Sequence, residues 1–156
     1  MRAVLQRVSE ACVTVDGKAV DSDGAVVARI AHGLLVLVGF APDDTPADLD
    51  YLADKILGLR VFEDVDEKMN LCLSDVGGEL LVVPNFTLHG DCRRGRRPSF
   101  TDAAPPDQAA ALFADFLNLL AEKGGAPQSG VFGAHMSVSL VNDGPVTLII
   151  DSRRPS

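Results

Sequence analysis

The sequence predicts a single α+β domain over residues 1–156, with a substantial sheet and two main helices. Three observations predict it. Apolar and β-branched runs of strand length recur along the chain, two longer segments carry apolar residues at helical spacing, and no repeat, linker or low-complexity segment divides the chain. With 156 residues, 47% of them hydrophobic, the chain is long enough to bury one real core and too apolar to be disordered.

Four strands are expected before the first helix: Arg2–Val8, Cys12–Val15, Ala25–Ile30 and Leu34–Phe40. A turn is expected at Asp16-Gly17. The last of these runs is almost continuously apolar, which is typical of a strand buried on both faces.

Two helices are expected, each with a proline near its start. Thr45 and Pro46 begin the first, with Asp48 in its first turn and Leu49, Leu52, Ala53, Ile56 and Leu59 at helical spacing. Pro105-Pro106-Asp107 begins the second, which runs to about Lys123 and stops at Gly124-Gly125. Its inward side chains are expected to be Ala109, Leu112, Phe113, Phe116, Leu117 and Leu120.

Two strands are expected near the C-terminus, His135–Val141 and Val146–Asp151, and Asn142-Asp143-Gly144-Pro145 lies between them. Proline cannot donate to a sheet ladder, and glycine allows close approach of the backbone to a ligand. The bond before Pro145 is also one that can be cis at low cost. On spacing alone the segment is either an ordinary hairpin turn or a rigid backbone probe of a ligand.

Charge and cysteine content restrict the class of protein. The net charge of −8 argues against sequence-independent coating of nucleic acid. Arg93, Arg94, Arg96 and Arg97 nevertheless form a short basic run, which suits either a local contact with one phosphate-bearing end or a solvated loop. The three cysteines give no disulfide framework, the N-terminus does not resemble a signal peptide, and no apolar run approaches a membrane span. A cytoplasmic protein is expected.

A second candidate site follows the expected strand Leu80–Val83. This strand ends at Pro84, after which backbone N–H groups are no longer committed to a ladder. Donors aimed at one point can stabilise a developing oxyanion. Nearby, Asn85 offers an amide, Thr87 a hydroxyl, and Phe86 a flat face on which a base could stack.

Taken together, these segments resemble the D-aminoacyl-tRNA deacylase family, and the match covers nearly the whole chain. The segments that carry it are Leu5-Gln6-Arg7-Val8, residues 33–39, Lys68-Met69-Asn70-Leu71, Phe86-Thr87-Leu88, Arg97-Pro98-Ser99-Phe100, Phe132-Gly133-Ala134 and Val141-Asn142-Asp143-Gly144-Pro145-Val146-Thr147. The last is the hallmark of that family.

The resemblance implies a barrel-like, mostly antiparallel or mixed sheet and a homodimer with a cross-subunit active site. Its implied reaction is hydrolysis of the ester bond of D-aminoacyl-tRNA, with some activity on glycyl-tRNA and rejection of L-aminoacyl-tRNA. Gly144 and Pro145, joined by a cis bond and donated by the partner subunit, would be the chirality filter, and Arg7 would hold their loop. No cofactor, metal or membrane is implied.

Residue roles follow from the same resemblance. The backbone N–H groups of Phe86 and Thr87 would be the catalytic oxyanion donors, and the 2′-OH of the terminal adenosine would assist the attacking water. The expected substrate-binding residues are Pro84, Asn85, Phe86, Gly144, Pro145, Arg7 and Met136, and the expected tRNA-binding residues are Arg94, Arg96 and Arg97.

One departure leaves alternatives open. The family usually has Ser-Gln where this chain has Pro84-Asn85, which removes a hydroxyl and a backbone N–H and shortens the amide. The chain could therefore be a deacylase with shifted specificity, a non-catalytic tRNA- or nucleotide-binding relative, or a dimer with no RNA role. A Thr87–His89 pair is a further candidate for nucleophile and base, because residues i and i+2 share a face in extended chain. His89 and Cys92 alone are too few ligands for zinc.

Overall fold

The computed structural model describes residues 1–15 and 26–153. Its elements are, in chain order, β1 (Arg2–Val15), β2 (Val26–Ile30), β3 (Gly33–Gly39), α1 (Pro46–Gly58), β4 (Phe62–Glu63), β5 (Met69–Leu71), β6 (Glu79–Pro84), α2 (Pro106–Glu122), β7 (Gln128–Ser129) and β8 (Met136–Asp151). Short 3-10 turns at Ser74–Val76 and Phe86–His89 lie on either side of β6. The expected turn at Asp16-Gly17 lies outside the described residues, as does Ala25 of the third expected strand.

The long strand β1 organises the sheet. Residues 2–8 of β1 pair antiparallel with β3, residues 11–14 pair antiparallel with β2, and β8 pairs antiparallel with β1 over most of its length. β3, β6 and β7 continue the sheet as parallel neighbours. The sheet is therefore mixed and nearly closed into a barrel-like form, which confirms the predicted α+β fold class.

Two predicted strand boundaries are wrong. The segments expected as separate strands at 2–8 and 12–15 are one strand, β1, and those expected at 135–141 and 146–151 both belong to β8. The pairing of β1 with β8 shifts register twice, once beside Arg7 and once beside Ser9, without ending. A bulge accommodates unpaired residues within a strand, and it also tolerates proline. The segments that separate the predicted strands, around Ser9 in β1 and at residues 142–145 in β8, therefore mark bulges within continuous strands.

Apolar side chains cover both faces of the sheet. Helices α1 and α2 pack on one face, where Ile56 and Phe116 are fully buried in a cluster with Val36 of β3. The second cluster is formed by Val8, Ala11, Val13, Ala28, Ile30, Leu35, Leu81 and Val83. Because β3 contributes to both clusters, the prediction of a strand buried on both faces is confirmed.

Both predicted helix starts are confirmed. The N–H and hydroxyl of Thr45 each donate to the Asp48 carboxylate at 2.8 Å, and Pro46 is the first helical residue of α1. The bond from the Thr45 N–H satisfies a backbone donor that an uncapped helix end leaves free. Helix α2 begins at Pro106 and ends shortly before Gly124, and the six predicted inward residues are buried or partly buried against the core.

Neither described helix combines the length and the apolar content that crossing a membrane would require.

Candidate active site

An open cleft of about 980 Å³ lies beside the second apolar cluster. Its floor consists of apolar side chains from β3, β6 and β8, which are Leu35, Leu37, Val83, Val138 and Leu140. The residues after β6, the segment before α2 and the segment 132–136 form its rim. The cleft is mostly apolar with a few polar side chains, as small-molecule sites commonly are.

The structure brings five of the predicted site residues to this cleft: Pro84, Asn85, Phe86, Thr87 and Met136. Of the other predicted binding residues, Arg7, Gly144 and Pro145 are not part of the lining that residues 1–15 and 26–153 provide. Within one chain, the residues at the end of β6 and Met136 therefore lie at the same cleft, and the Gly144-Pro145 segment lies outside it.

The segment after Pro84 is a 3-10 turn, and Asn85 caps it. The Asn85 Oδ1 accepts a hydrogen bond from the Thr87 N–H at 3.2 Å and another from the Thr87 hydroxyl at 2.5 Å. Asparagine favours this position because its short side chain reaches the backbone two residues on. The turn is fixed to the sheet by the Asn85 N–H, which donates to the Val38 carbonyl at 2.7 Å.

The expectation that Thr87 and His89 share a face is wrong. In a 3-10 turn, with three residues per turn, side chains two positions apart point in different directions. Thr87 is exposed at the cleft, whereas His89 is only 4% exposed and does not line it. The geometry therefore gives no nucleophile–base pair of these two residues.

Burial disfavours the charged form of His89. Removal from water lowers the pKa of His89 below its usual value of 6.5, against a smaller opposing effect of a hydrogen bond with the Gly39 backbone. Its Nε2 is buried without a hydrogen-bond partner among the described residues. Both observations are those of a packed core histidine rather than a proton carrier at the cleft.

The two expected oxyanion donors differ in their availability. The Thr87 N–H is engaged by Asn85, so it can reach a ligand only by leaving that cap. The Phe86 N–H has no acceptor within residues 1–15 and 26–153. Of the two N–H groups, only that of Phe86 is without an acceptor in the described part of the chain.

Two aromatic rings stand at the mouth of the cleft. Phe86 is 56% exposed and Phe100 is 39% exposed, and their ring centroids lie 5.2 Å apart in an edge-to-face arrangement. Exposed phenylalanine is costly in water, and an aromatic pair of this kind suits a flat ligand such as a base. Phe100 was not among the predicted site residues, although it closes the quoted Arg-Pro-Ser-Phe segment.

The Gly-Pro segment forms a bulge on β8. Thr147 pairs with Gln6 and Asn142 pairs with Val8, so residues 143–146 stand opposite the single residue Arg7. The peptide bond between Gly144 and Pro145 is cis, and both residues are exposed. Gly144 has φ +120°, and a Cβ there would lie 2.7 Å from the Arg7 guanidinium, so only glycine fits.

Arg7 fills the space beneath this bulge. Its side chain is buried, its Nε donates to the Asp143 carbonyl at 3.1 Å, and its Nη1 donates to the Val61 carbonyl at 2.8 Å. The carboxylates of Asp143 and Glu63 lie 3.3 and 3.7 Å from the guanidinium. Buried arginine is stable only with such partners, so Arg7 ties the bulge to the segment around β4.

The basic run lies in an exposed loop. Asp91 and Ser99 close its base with a pair of backbone hydrogen bonds of 2.7 and 3.0 Å. Arg93 forms a two-pronged contact with Asp91 at 2.8 and 2.7 Å, which lowers the pKa of Asp91 and raises that of Arg93. The predicted tRNA-binding residues Arg94, Arg96 and Arg97 are exposed in the same loop.

Comparison with known proteins places this architecture in a family. The family model described as D-Tyr-tRNA(Tyr) deacylase matches residues 4–151. This chain belongs to that family. A D-aminoacyl-tRNA deacylase of Thermotoga petrophila is 58% identical over 154 residues, covering 99% of both chains, and one of Clostridioides difficile is 53% identical with the same coverage. The predicted family is confirmed, and with it the class of hydrolases that act on ester bonds.

Solved structures share the deacylase fold. A protein titled c-Myc DNA Unwinding Element Binding Protein is 37% identical, with a TM-score of 0.88 and full coverage of both chains. A probable eukaryotic D-amino acid tRNA deacylase is 21% identical with a TM-score of 0.75, covering 96% of this chain and 97% of its own, and shows the likeness of fold alone.

Proposed function

We propose that this deacylase-family chain hydrolyses the ester bond of D-aminoacyl-tRNA, releasing the free D-amino acid and tRNA, and rejects L-aminoacyl-tRNA. One observation carries the proposal beyond family membership. The Gly144-Pro145 bulge is exposed and lies outside the cleft of its own chain, while that cleft, with Phe86 and Thr87 at its rim, is open. We therefore propose that the bulge of one copy enters the cleft of a second copy.

This arrangement supports the proposal of a homodimer with cross-subunit sites. Val141 and Ile149, on either side of the bulge along β8, are 49% and 78% exposed. Exposed apolar residues around a rigid projection are typical of an interaction surface. In a two-fold dimer the same contact is made twice, so each bulge enters the partner's cleft and both sites are completed together.

The proposed discrimination is steric. Main-chain atoms of the partner's Gly144 and Pro145 occupy the space that an L side chain would need, and a D side chain points elsewhere. Arg7, buried beneath the bulge, keeps those atoms in place. Glycine has no side chain to reject, so glycyl-tRNA is proposed as a second substrate.

The chemistry needs no side-chain base. A water attacks the ester carbonyl, and the Phe86 N–H stabilises the resulting oxyanion. The bond to the 3′-oxygen of the terminal adenosine then breaks, and the 3′-oxygen takes up the proton that the water has released. The 2′-OH of that adenosine assists the water, and the protein positions the reacting groups. Phe86 and Phe100 would provide the apolar faces for the adenine, with Pro84, Asn85 and Met136 around the aminoacyl group.

The tRNA would be held at one end only. Arg94, Arg96 and Arg97 form an exposed positive loop on a chain of net charge −8, which suits contact with a few phosphates near the acceptor end. We place the reaction in the cytoplasm, where charged tRNA is used.

Deacylation of matched tRNAs tests the proposal. Purified protein is incubated with D-tyrosyl-, L-tyrosyl- and glycyl-tRNA, and the remaining ester is followed over time. The D-ester is expected to be cleaved much faster than the L-ester, with glycyl-tRNA cleaved at high enzyme. Equal cleavage of the D- and L-esters would contradict the steric filter, and intact glycyl-tRNA would contradict the second substrate.

One observation favours a second candidate, a tRNA-binding relative without hydrolysis. The cap formed by Asn85 occupies the Thr87 N–H, leaving a single oxyanion donor open. This candidate predicts that D-tyrosyl-tRNA is bound, with no release of D-tyrosine. Filter binding combined with the same deacylation assay separates it from the enzyme.

A further inference from the structure

The base of the Gly-Pro bulge is closed by one side-chain amide. The Nδ2 of Asn142 donates to the Arg7 carbonyl and to the Val146 carbonyl, each at 3.0 Å. Both acceptors are carbonyl oxygens, so the nitrogen end of the amide is fixed by its surroundings. Two N–H groups of one side chain therefore join the two ends of the bulge to each other and to β1.

The Asn142 amide supplies hydrogen bonds at the place where the ladder between β1 and β8 is interrupted. Residues 143–146 have no ladder partner on β1 among the described residues, because four residues face the single residue Arg7. A bulge of this size would be a loose loop unless side chains held its carbonyls. The Arg7 guanidinium holds the Asp143 carbonyl, and Asn142 holds those of Arg7 and Val146.

We infer that Asn142 is a positioning residue for discrimination between D- and L-aminoacyl esters, acting through the shape of the Gly144-Pro145 bulge. The inference rests on the proposed function, in which that bulge is the filter. Main-chain atoms exclude a side chain only if they stay within a few tenths of an ångström of the required place. Asn142 touches neither substrate nor reacting atoms, and its effect falls on selectivity.

The matched test is Asn142→Asp, which keeps the shape of the side chain and removes both donors. Thr147→Val is the control, because the hydrogen bonds of the Thr147 hydroxyl among the described residues are two long ones, to the Asn142 Oδ1 and from the Gln6 amide, each at 3.4 Å. The kcat/KM values for D-tyrosyl- and L-tyrosyl-tRNA are measured for each variant, with the Tm recorded alongside. We expect Asn142→Asp to lower the D/L ratio at least tenfold and Thr147→Val to leave it within threefold of wild type.

A folded Asn142→Asp variant with the wild-type D/L ratio would overturn the inference while leaving the proposed function intact. So would an equal loss of activity on both esters, since that is the effect of a merely structural residue. If Asn142→Asp does not fold, Asn142→Gln is measured in its place. Glutamine keeps both N–H donors on a side chain that is one methylene longer, so the donors are displaced. A wild-type D/L ratio for Asn142→Gln would likewise overturn the inference. A wild-type protein that cleaves both esters equally contradicts the proposed function itself.

Discussion

At the scale of single residues, the departure at Asn85 has a structural consequence. The family usually has glutamine here, which is one methylene longer than asparagine. Asn85 is short enough to cap the 3-10 turn, where its Oδ1 accepts from both the N–H and the hydroxyl of Thr87. The Thr87 oxygen is then free to act as an acceptor toward the cleft, because its own hydrogen is used by Asn85.

Replacement of Asn85 tests which part of its amide matters. Asn85→Ala removes the cap, which typically costs about 0.5–2 kcal/mol, and we expect kcat for D-tyrosyl-tRNA to fall roughly tenfold as the turn loosens. Asn85→Asp keeps the capping oxygen and removes the NH₂ group. In steady-state kinetics, kcat of Asn85→Asp should be close to that of the wild type, in contrast to Asn85→Ala. If kcat of Asn85→Asp fell as far as that of Asn85→Ala, activity would depend on the NH₂ group and not on the capping oxygen.

His89 gives stability a pH dependence near neutrality. Its pKa is lowered in the folded protein, so the unfolded chain takes up a proton first as the pH falls through about 6.5. Stability is therefore fully present above that pH and decreases below it. Lowered pKa values of Asp48 and Asp151 act in the same direction but only at more acidic pH, below their ordinary value of 3.8.

Urea unfolding between pH 8 and pH 5 measures this effect. The wild-type midpoint should decline below about pH 6.5, and His89→Gln, which does not titrate, should show a flatter profile. Identical pH profiles for the two proteins would show that the protonation of His89 is not coupled to folding.

At the scale of elements, the 3-10 turn depends on its close approach to β3. A Cβ at Gly39 would lie 2.8 Å from the Asn85 carbonyl oxygen and 3.1 Å from the His89 ring. Glycine at the end of β3 thus lets the Phe86–His89 turn pack against the sheet. This contact therefore sets the position of Phe86 and Thr87, which line the cleft.

Gly39→Ala should therefore harm both stability and activity. We expect a loss of about 1–3 kcal/mol in the free energy of unfolding, typical of overpacking, together with reduced kcat as the turn is displaced. Gly58→Ala is the control, because a Cβ at Gly58 meets nothing within 4 Å and Gly58 ends helix α1. Chemical denaturation should show the control unchanged or slightly stabilised, and equal losses in both variants would contradict the packing argument.

At the scale of the whole molecule, a shared site predicts complementation between defective subunits. One variant carries Phe86→Pro, which removes the backbone N–H together with the aromatic face at the first residue of the 3-10 turn, and the other carries Gly144→Leu. If each site combines residues 86–87 of one subunit with residues 144–145 of the other, a mixed dimer places both lesions in one site and leaves the other site wild type.

Mixing equal amounts of the two inactive proteins, after subunit exchange, should recover about a quarter of wild-type activity, since half of the dimers are mixed and each has one intact site. Deacylation of D-tyrosyl-tRNA before and after mixing measures it, and sedimentation confirms that dimers are present. No recovery in a mixture shown to contain mixed dimers would mean that residues 86–87 and 144–145 serve the same chain.

Local signals in the sequence determined much of this protein. The apolar run of β3, the capped start of α1 and the proline start of α2 predicted these elements because hydrophobic periodicity and helix capping act over a few residues. The ordered motifs predicted the family because together they match it over nearly the whole chain, and five of the predicted site residues line the cleft.

Only the tertiary structure decided how those residues relate to one another. It joined pairs of predicted strands into β1 and β8, because a bulge opposite Arg7 depends on register between residues about 140 positions apart. It placed the Thr87 and His89 side chains on different sides of the chain, because residues 86–89 form a 3-10 turn, capped by Asn85, and not an extended strand. It also gave Asn142 its two carbonyl partners, since the acceptors of a side-chain amide are set by contacts across strands and leave no pattern along the chain.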